Sequence, residues 1–156
     1  METCLNCFKK AMKLKEVEAR EYSPLALAYL GDAVYELAIR TFVMNHGNTQ
    51  VNKMHKKTAG LVKAEAQANF YKVLEEELTE EEKAVYRRGR NAKSVTMAKH
   101  ATMKDYRMAT GFEALMVYLY LTEQMERMAE LLGHGLKKLG ELEEDAQECI
   151  EAGENT

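Results

Sequence analysis

Two acidic residues lie within long apolar segments of this chain, where carboxyl groups could do chemistry. Asp32 occurs in the apolar segment 27–36, and Glu113 occurs in the apolar segment 106–121. An ionised carboxylate is costly in such surroundings unless it is paired or binds a metal ion. Two carboxylates on facing core helices suit Mg²⁺, a hard ion that takes oxygen ligands and keeps several waters. The alternative is that each acid reaches solvent or an arginine at the edge of its helix.

The apolar pattern around these two acids predicts two helices in the middle of a bundle. Ser23 and Pro24 are typical of a helix N-cap and first turn, so the first of these helices runs from residue 24 to about residue 45. The second runs from residue 104 to residue 121. Gly31 costs about 1 kcal/mol relative to alanine in a helix interior. We therefore expect another backbone to approach closely at this position.

Five further segments have helical periodicity or capping signals, and the whole pattern predicts an all-α domain of about seven helices. Thr58 is expected to cap the fourth helix, Thr79 the fifth through a capping box, and Thr122 the last. The sequence lacks the alternation of β-branched residues that indicates strands. Residues 91–103 lose periodicity and are predicted to form a loop. The other predicted helices span residues 4–18, 49–57, 58–74, 79–90, and 122 to between 133 and 140.

The net charge of −3 conceals an uneven distribution of charge along the chain. Residues 141–156 contain seven acidic residues and no lysine or arginine. Removing these seven from the 25 acidic residues leaves 18 against 22 basic ones, so residues 1–140 carry about +4. A mildly basic body leaves the binding of a polyanion open. We expect one folded domain over residues 1–138, followed by an acidic segment, 139–156, that is frayed or disordered.

Membrane and secreted classes of protein are disfavoured. The sequence has no run of about 18 apolar residues, so we expect no membrane-spanning helix and no membrane partner. The N-terminus lacks the basic and apolar regions of a signal peptide. Three cysteines, an odd number, argue against a disulfide framework and fit a reducing cytoplasm. Cys4 and Cys7 have the spacing of a zinc knuckle, but no second pair follows, so free thiols are favoured over a metal site.

A second candidate feature is the basic segment 83–107, in which eight lysines and arginines are opposed only by Asp105. Its residues 87–91, Arg-Arg-Gly-Arg-Asn, are predicted to end a helix and enter a polar loop, where guanidinium groups and backbone amides can bind phosphates. Taken alone, a charge run is more often a solvated face. This segment leads directly into the helix that carries Glu113. The two features together favour a polyanion-binding surface beside a carboxylate pair.

Two separated motifs resemble those of ribonuclease III domains. Residues 29–36, Tyr-Leu-Gly-Asp-Ala-Val-Tyr-Glu, resemble the signature helix of this family. Residues 112–115, Phe-Glu-Ala-Leu, followed by Tyr-Leu-Tyr-Leu at 118–121, resemble its second catalytic helix. The run at residues 87–94 and the short length of the chain match the small Mini-ribonuclease III branch most closely. The resemblance covers roughly residues 20–132.

This resemblance implies a homodimeric, all-helical endonuclease that cleaves double-stranded RNA with Mg²⁺ and without an organic cofactor. Each subunit would hydrolyse one strand, leaving 5′-phosphate and 3′-hydroxyl ends, and the substrate assigned in this branch is the precursor of large-subunit (23S) ribosomal RNA. Asp32 matches the signature aspartate and Glu113 the glutamate that ligates the metal, so both are assigned as catalytic metal ligands. Tyr29 falls where the family often places an aromatic residue that inserts into the partner subunit. We assign Tyr29 and Gly31 to subunit contact.

The branch lacks the double-stranded-RNA-binding domain of longer family members. The nuclease body itself is therefore expected to recognise A-form RNA, through phosphates and 2′-hydroxyl groups. Lys53, Lys56 and Lys57 are the weaker candidates for these contacts. The main predicted RNA-binding residues are Arg87, Arg88, Arg90, Asn91, Lys93, Lys99, His100 and Lys104.

Two positions depart from the family pattern. Ala28 stands where members usually carry a glutamate, and Thr110 stands where they carry an aspartate. Water or phosphate oxygens would then complete the metal shell, with Glu36 and Thr110 as candidates for an outer shell, although a structural role suits Glu36 better. The missing acids leave open a non-catalytic RNA-binding or ribosome-assembly protein on the same fold. A helical protein-interaction bundle with no RNA role is the third hypothesis.

Overall fold

The chain folds into seven α-helices within residues 3–47, 49–93 and 102–142, the ranges that this computed structural model describes. These ranges contain no strand, so the predicted all-α fold is confirmed. Two 3-10 turns, Ala19–Glu21 and Glu75–Glu77, lie between helices. The helices are α1 (Cys4–Ala11), α2 (Pro24–His46), α3 (Val51–Val62), α4 (Ala64–Leu74), α5 (Glu80–Arg90), α6 (Met103–Leu121) and α7 (Met125–Lys138).

The central helix is α6, which packs against α2, α4, α5 and α7. It buries side chains around almost its whole circumference, and its sequence lacks an amphipathic pattern because it has packing partners on every side. Its fully buried side chains include Phe112, Leu115 and Met116. A charged residue on such a helix needs a specific partner, which makes Glu113 informative.

An aromatic cluster fixes how α2, α4 and α6 are rotated about their axes. The ring of Tyr35 meets the rings of Phe112 and Phe70 edge to face, with centroids 5.2 Å and 5.8 Å apart. The Tyr35 hydroxyl is satisfied by donating to the carbonyl of Leu61 at 2.8 Å, as a buried phenol requires. Tyr35 follows Asp32 by three residues and Phe112 adjoins Glu113. The cluster therefore also fixes where the two acids point.

Two predicted helix starts are confirmed. Ser23 accepts a hydrogen bond from the backbone amide of Ala26, and Pro24 occupies the first turn of α2. Thr79 and Glu82 form the predicted capping box of α5, in which each side chain accepts from the other residue's backbone amide, at 3.2 Å and 3.1 Å.

The predicted extent of the first helix, residues 4–18, is wrong, because α1 ends at Ala11. Lys13 has φ of 51°, and the amide of Leu14 donates to the carbonyl of Lys9 at 3.0 Å. This hydrogen bond defines a Schellman motif, in which the residue with positive φ is usually glycine. Since a lysine occupies that position here, the sequence contains no signal for the end of the helix.

The predicted caps Thr58 and Thr122 are also wrong. Thr58 is buried within α3, and the break between α3 and α4 falls at Lys63, whose ψ of 155° is extended. Thr122 ends α6 instead of starting α7, and its hydroxyl donates to the carbonyl of Tyr118. Glu123, with φ of 58°, then forms a second Schellman motif without glycine.

The last helix, α7, ends at Lys138, within the predicted limits. Residues 94–101 of the predicted loop and residues 143–156 of the predicted acidic segment lie outside the described residues. Among the helices that are described, none is both long and apolar enough to cross a bilayer. Cys4 and Cys7 are free, exposed thiols on α1.

Two glycines of α7 form a matched pair for substitution. A Cβ on Gly135 would overlap the buried ring of Phe70, whereas a Cβ on Gly133 would meet nothing within 4 Å. We expect Gly135→Ala to lower the free energy of unfolding by about 1–3 kcal/mol, because the core has no room for another methyl group. Gly133→Ala should raise it by about 0.5–1 kcal/mol, since alanine is the better helix former. Urea unfolding followed by circular dichroism measures both changes, and similar effects at the two positions would contradict this packing.

Candidate active site

The backbones of α2 and α6 touch at Gly31. A Cβ at this position would collide with the backbone carbonyl of Glu113, so only glycine permits the crossing. The expected approach of another backbone is confirmed, and that backbone belongs to α6 of the same subunit. The assignment of Gly31 to subunit contact is wrong, because the residue is buried inside its own subunit. The crossing brings Asp32, the next residue of α2, beside Glu113.

The carboxyl groups of Asp32 and Glu113 lie within hydrogen-bonding range of each other. Glu113 is half-buried, whereas Asp32 is exposed at the rim of the bundle. The expectation of a carboxylate enclosed by apolar residues is therefore corrected for Asp32, because residues 32 and 33 face outwards from α2. One acid of the pair is held by packing, and the other is open to a ligand that arrives from solvent.

The two carboxyl groups perturb each other's protonation. Burial raises the pKa of Glu113 to about 8, the negative charge of Asp32 adds to this, and a hydrogen bond donated by Gln67 opposes it. Partial burial also raises the pKa of Asp32, the charge of Glu36 acts in the same direction, and the hydrogen bond with Glu113 lowers it. Two carboxyl groups this close cannot both ionise without cost. Each carboxyl group therefore disfavours ionisation of the other, and a bound cation would reverse this effect by favouring the ionised forms.

A residue that the sequence analysis missed, Gln67 of α4, completes this cluster. Its side chain is 2% exposed, and its Nε2 donates to the Oε1 of Glu113 at 3.0 Å and to the carbonyl of Val62 at 2.9 Å. Its own Oε1 is buried and has no hydrogen-bond partner among the described residues. The signal was present in the sequence, because Gln67 falls on the face of α4 that otherwise buries apolar residues such as Tyr71 and Leu74.

The two candidates for an outer shell have other partners. Glu36 accepts hydrogen bonds from Nε and Nη2 of Arg40 at 2.9 Å and 2.7 Å, so its carboxylate is already neutralised on α2. Thr110 is buried, and its hydroxyl donates to the carbonyl of Tyr106 in its own helix. The structure brings Asp32 and Glu113 together and leaves Glu36 and Thr110 in structural contacts.

The donor set fits a hydrated magnesium ion. Within the described residues there is no group of three or more histidine, cysteine, aspartate or glutamate side chains that could enclose a metal. Mg²⁺ does not require one, since it is usually held by one or two carboxylates and several waters. The acids Asp32 and Glu113 supply the carboxylates, and the unpaired Oε1 of Gln67 can accept a hydrogen bond from water in the same site.

A basic groove of about 520 Å³ lies where α4, α5 and α6 meet. One wall is formed by the stacked rings of Tyr71 and Tyr86, whose centroids are 3.5 Å apart, and the guanidinium of Arg90 lies 5.7 Å from the Tyr86 ring centroid. Lys72 and Arg107, which were not predicted as RNA-binding residues, also line it. Lys72 was missed because it lies on α4, outside the basic segment 83–107, and joins the groove only in the folded chain. Arg107 lies within that segment but was not assigned to RNA binding. Of the predicted residues, the groove contains Arg90, Asn91 and Lys104.

The remaining predicted RNA-binding residues are more dispersed. Arg87 and Lys93 are exposed, and Arg88 lines a different cleft together with Pro24 and Tyr118. Lys99 and His100 lie outside the described residues. Of the weaker candidates on α3, Lys53 and Lys56 are exposed, and Lys57 forms an ion pair with Glu141 at 2.6 Å.

An exposed apolar stripe runs along α2. Its four large side chains are 39%, 84%, 70% and 62% exposed, and a patch of such residues is a candidate contact surface. They recur at helical spacing, so they lie on one side of α2, and Asp32 borders them. The stripe consists of Leu25, Tyr29, Leu37 and Met44.

The raised pKa of Glu113 makes stability depend on pH. Glu113 has a pKa of about 8 in the folded chain, above the ordinary value of 4.5 that it takes on unfolding. The folded state therefore holds a proton that the unfolded state has released, so stability from this source is complete below pH 4.5 and disappears as the pH rises to about 8. In metal-free buffer the free energy of unfolding of the wild type should fall relative to Glu113→Gln by an amount on the order of 2–4 kcal/mol across this range. Chemical denaturation at a series of pH values measures the difference, and parallel profiles would contradict the raised pKa of Glu113.

Comparison with known proteins supplies the family. Residues 25–124, a range that includes Asp32, Gln67 and Glu113, match the family described as the Ribonuclease III domain. A Clostridium tetani protein named Mini-ribonuclease 3 is 51% identical over 116 residues, which cover 74% of this chain and 77% of that protein. Mini-ribonuclease 3 from Enterococcus faecalis is 49% identical over 127 residues, which cover 80% of this chain and 96% of that protein.

A solved structure shares the fold. The crystal structure of a protein from Fusobacterium nucleatum is similar with a TM-score of 0.69 at 33% identity, and the match covers 79% of this chain and 97% of that chain. The resemblance stated from the two motifs is thereby confirmed. Since the relatives are named as ribonucleases, they favour catalysis over a non-catalytic RNA-binding protein or an interaction bundle. The chain belongs to the ribonuclease III domain family, and it is an endoribonuclease related to the Mini-ribonuclease 3 proteins.

Proposed function

We propose that this endoribonuclease uses Mg²⁺ to cleave double-stranded RNA as a homodimer, and that its substrate is the precursor of 23S ribosomal RNA. The observation that carries the proposal is the pairing of Asp32 with Glu113 at the glycine-dependent crossing of α2 and α6. Each subunit hydrolyses one strand. Products with 5′-phosphate and 3′-hydroxyl ends require that water attack the phosphorus and that the bond from phosphorus to the 3′ oxygen break.

Asp32 and Glu113 would hold the ion through carboxylate oxygens, with water completing its shell. When bound, Mg²⁺ lowers the pKa of coordinated water and stabilises negative charge on the phosphate. Glu113 must first lose its proton, and its high pKa means that this loss becomes easier as the pH rises towards about 8. Packing against α2 fixes the backbone of Glu113, and the exposure of Asp32 leaves the outer side of the pair open to RNA.

The basic groove is the best-supported phosphate-binding surface. It gathers four cationic side chains from three helices against one carboxylate, that of Glu75, so its charge is mainly positive. The guanidinium of Arg90 lies over the ring of Tyr86, which is itself stacked on the ring of Tyr71. Contacts of this kind act on the backbone of a duplex, with little dependence on its sequence, and their affinity falls steeply with salt. The cations of the groove are Lys72, Arg90, Lys104 and Arg107.

The exposed stripe of α2 supports the homodimer. A bulky aromatic side chain that is 84% exposed, as Tyr29 is, gains free energy when a second subunit covers it. The stripe borders Asp32, so two subunits joined through α2 would hold two carboxyl pairs close to one interface. This arrangement suits the cleavage of both strands of a duplex.

The branch of the family supports the proposed cellular substrate, and the cysteine count supports the proposed compartment. The Mini-ribonuclease III resemblance supports 23S precursor RNA, and an odd number of cysteines supports the reducing cytoplasm where that RNA is made. Because duplex shape carries little base information, comparing a precursor transcript with an unrelated duplex of equal length tests this part of the proposal. Equal cleavage rates on the two substrates would count against a dedicated precursor RNA.

Removing either carboxylate should abolish cleavage. We expect Asp32→Asn and Glu113→Gln each to lower the rate on duplex RNA by about 1,000-fold or more, because neither amide can neutralise a divalent cation. Binding of the duplex in a gel-shift assay should change by less than about threefold, since the phosphate contacts remain. Gel analysis of end-labelled RNA measures cleavage.

The matched control for this experiment is Glu36→Gln, one turn from Asp32. Its carboxylate is held by Arg40, so cleavage should remain within about fivefold of the wild type. Chelation of Mg²⁺ should abolish cleavage by the wild type. Undiminished cleavage by either active-site variant, or by the wild type in excess chelator, would contradict the proposed mechanism.

The dimer is tested at Tyr29. Tyr29→Arg places a charge in the middle of the stripe and should convert a dimer to a monomer, because a buried unpaired charge costs several kcal/mol. Val51→Arg is the control, since Val51 is 60% exposed at the start of α3 and lies outside the stripe. Sedimentation velocity measures the mass of each variant. A wild-type monomer at micromolar concentration, or a dimer that survives Tyr29→Arg, would rule out this interface.

A further inference from the structure

We propose that Gln67 is a positioning residue of the active site, which orients Glu113 through its amide nitrogen and accepts a hydrogen bond from water at the metal centre through its carbonyl oxygen. The inference rests on the proposed use of Mg²⁺. It assigns a role to a side chain that lies outside both family motifs and belongs to a different helix from either acid.

The amide nitrogen of Gln67 is fully engaged. The two hydrogens on Nε2 are donated to the carbonyl of Val62 at 2.9 Å and to the Oε1 of Glu113 at 3.0 Å. A side-chain amide has two such hydrogens and no more, so its plane is fixed by these two contacts. The rotation of the Glu113 carboxylate is fixed in turn, because one of its oxygens faces the amide.

The second observation is that the carbonyl oxygen of Gln67 lacks a hydrogen-bond partner in the described part of the chain. It is buried, and no described residue donates a hydrogen bond to it. Leaving a buried acceptor unpaired costs about 1–3 kcal/mol, and such atoms in proteins are usually satisfied by water or a ligand. Because the same side-chain amide contacts Glu113, we assign the missing donor to water bound at the metal site that Glu113 would form. Partners of this kind orient metal ligands and raise metal affinity.

If Gln67 had a purely structural role, a different result would be expected. The bond from Gln67 to the carbonyl of Val62 spans the break between α3 and α4, and its loss alone would lower stability. It would leave the metal site as it was. A variant of Gln67 can therefore be judged by metal affinity, measured separately from stability.

The test uses Gln67→Met, which keeps the length of the side chain and removes both hydrogen-bonding functions. We expect the Mg²⁺ concentration for half-maximal cleavage of duplex RNA to rise about tenfold or more, as for other partners of metal ligands. The affinity for Mn²⁺ without RNA, measured by electron paramagnetic resonance, should fall by a similar factor. Unchanged values of both quantities would overturn the proposal.

The control is Glu82→Gln, a buried polar substitution between α5 and α7. Glu82 is bound by Arg127 and by the amide of Thr79, so this variant should lower the melting temperature without moving either metal measurement. If Glu82→Gln shifts metal affinity as far as Gln67→Met does, the effect at Gln67 is general destabilisation and the proposal fails.

A second measurement, nuclear magnetic resonance of the wild type, tests the proposal even if Gln67→Met does not fold. In the wild type, the side-chain amide resonances of Gln67 should shift as Mg²⁺ is added, while those of the exposed Gln50 and Gln124 stay in place. Resonances of Gln67 that do not move at saturating Mg²⁺ would overturn the proposal. Cleavage by the wild type in chelator would remove the proposed metal dependence together with this inference. Metal-dependent cleavage with an unresponsive Gln67 would remove this inference alone.

Discussion

At Gly31 the backbone of α2 packs directly against the carbonyl of Glu113 in α6, and the carboxyl pair exists because of this contact. A Cβ would force the helices apart and would separate the two acids as well. A similar device operates on another side of α6, where Gly89 of α5 packs against Gly111 and Ala114. The central helix is thus held by backbone-level contacts with two neighbours. The spacing of the site is set by packing that leaves little room for adjustment.

Three features of the candidate site lower the stability of the folded chain. Two carboxyl groups that disfavour each other's ionisation lie close together, one of them is half-buried, and the carbonyl of Gln67 has no partner among the described residues. Each of these features destabilises the folded chain by itself, and a divalent cation with its waters would relieve all three at once. The rest of α6 offsets the strain by burying large apolar side chains on nearly every other side. Residues whose local surroundings disfavour them are what a functional site is expected to contain.

Much of the fold could be predicted because its signals are local. Ser23 with Pro24 and the capping box at Thr79 each start a helix through a side chain that bonds its own backbone, and both were found in the sequence. The ends of α1 and α6 were missed because Lys13 and Glu123 adopt a positive φ where glycine usually stands. In those turns the tertiary structure outweighs the local preference of the residue.

The residues of the candidate site also divide into those that local sequence patterns reveal and those that depend on tertiary packing. Asp32 and Glu113 were found because an acid in an apolar segment violates the local pattern, and the violation can be seen without a structure. The need for a close backbone approach at Gly31 was recognised, but the residue was assigned to subunit contact. The sequence does not say which helix supplies the approaching backbone. Gln67 and Lys72 were missed because their roles arise only when α4 is packed against α6.

Helix α2 connects the proposed interface with the proposed metal centre. Its buried side carries Tyr35, its exposed side carries the apolar stripe, and Asp32 lies at the boundary between them. Residues three and seven positions apart share a helix face, so Tyr29 and Leu25 are the neighbours of Asp32 on that boundary. A second subunit that covers the stripe would also remove water from one side of Asp32, and its attraction for a cation would strengthen as the local dielectric falls. Subunit association and metal binding would then favour each other through a single turn of α2.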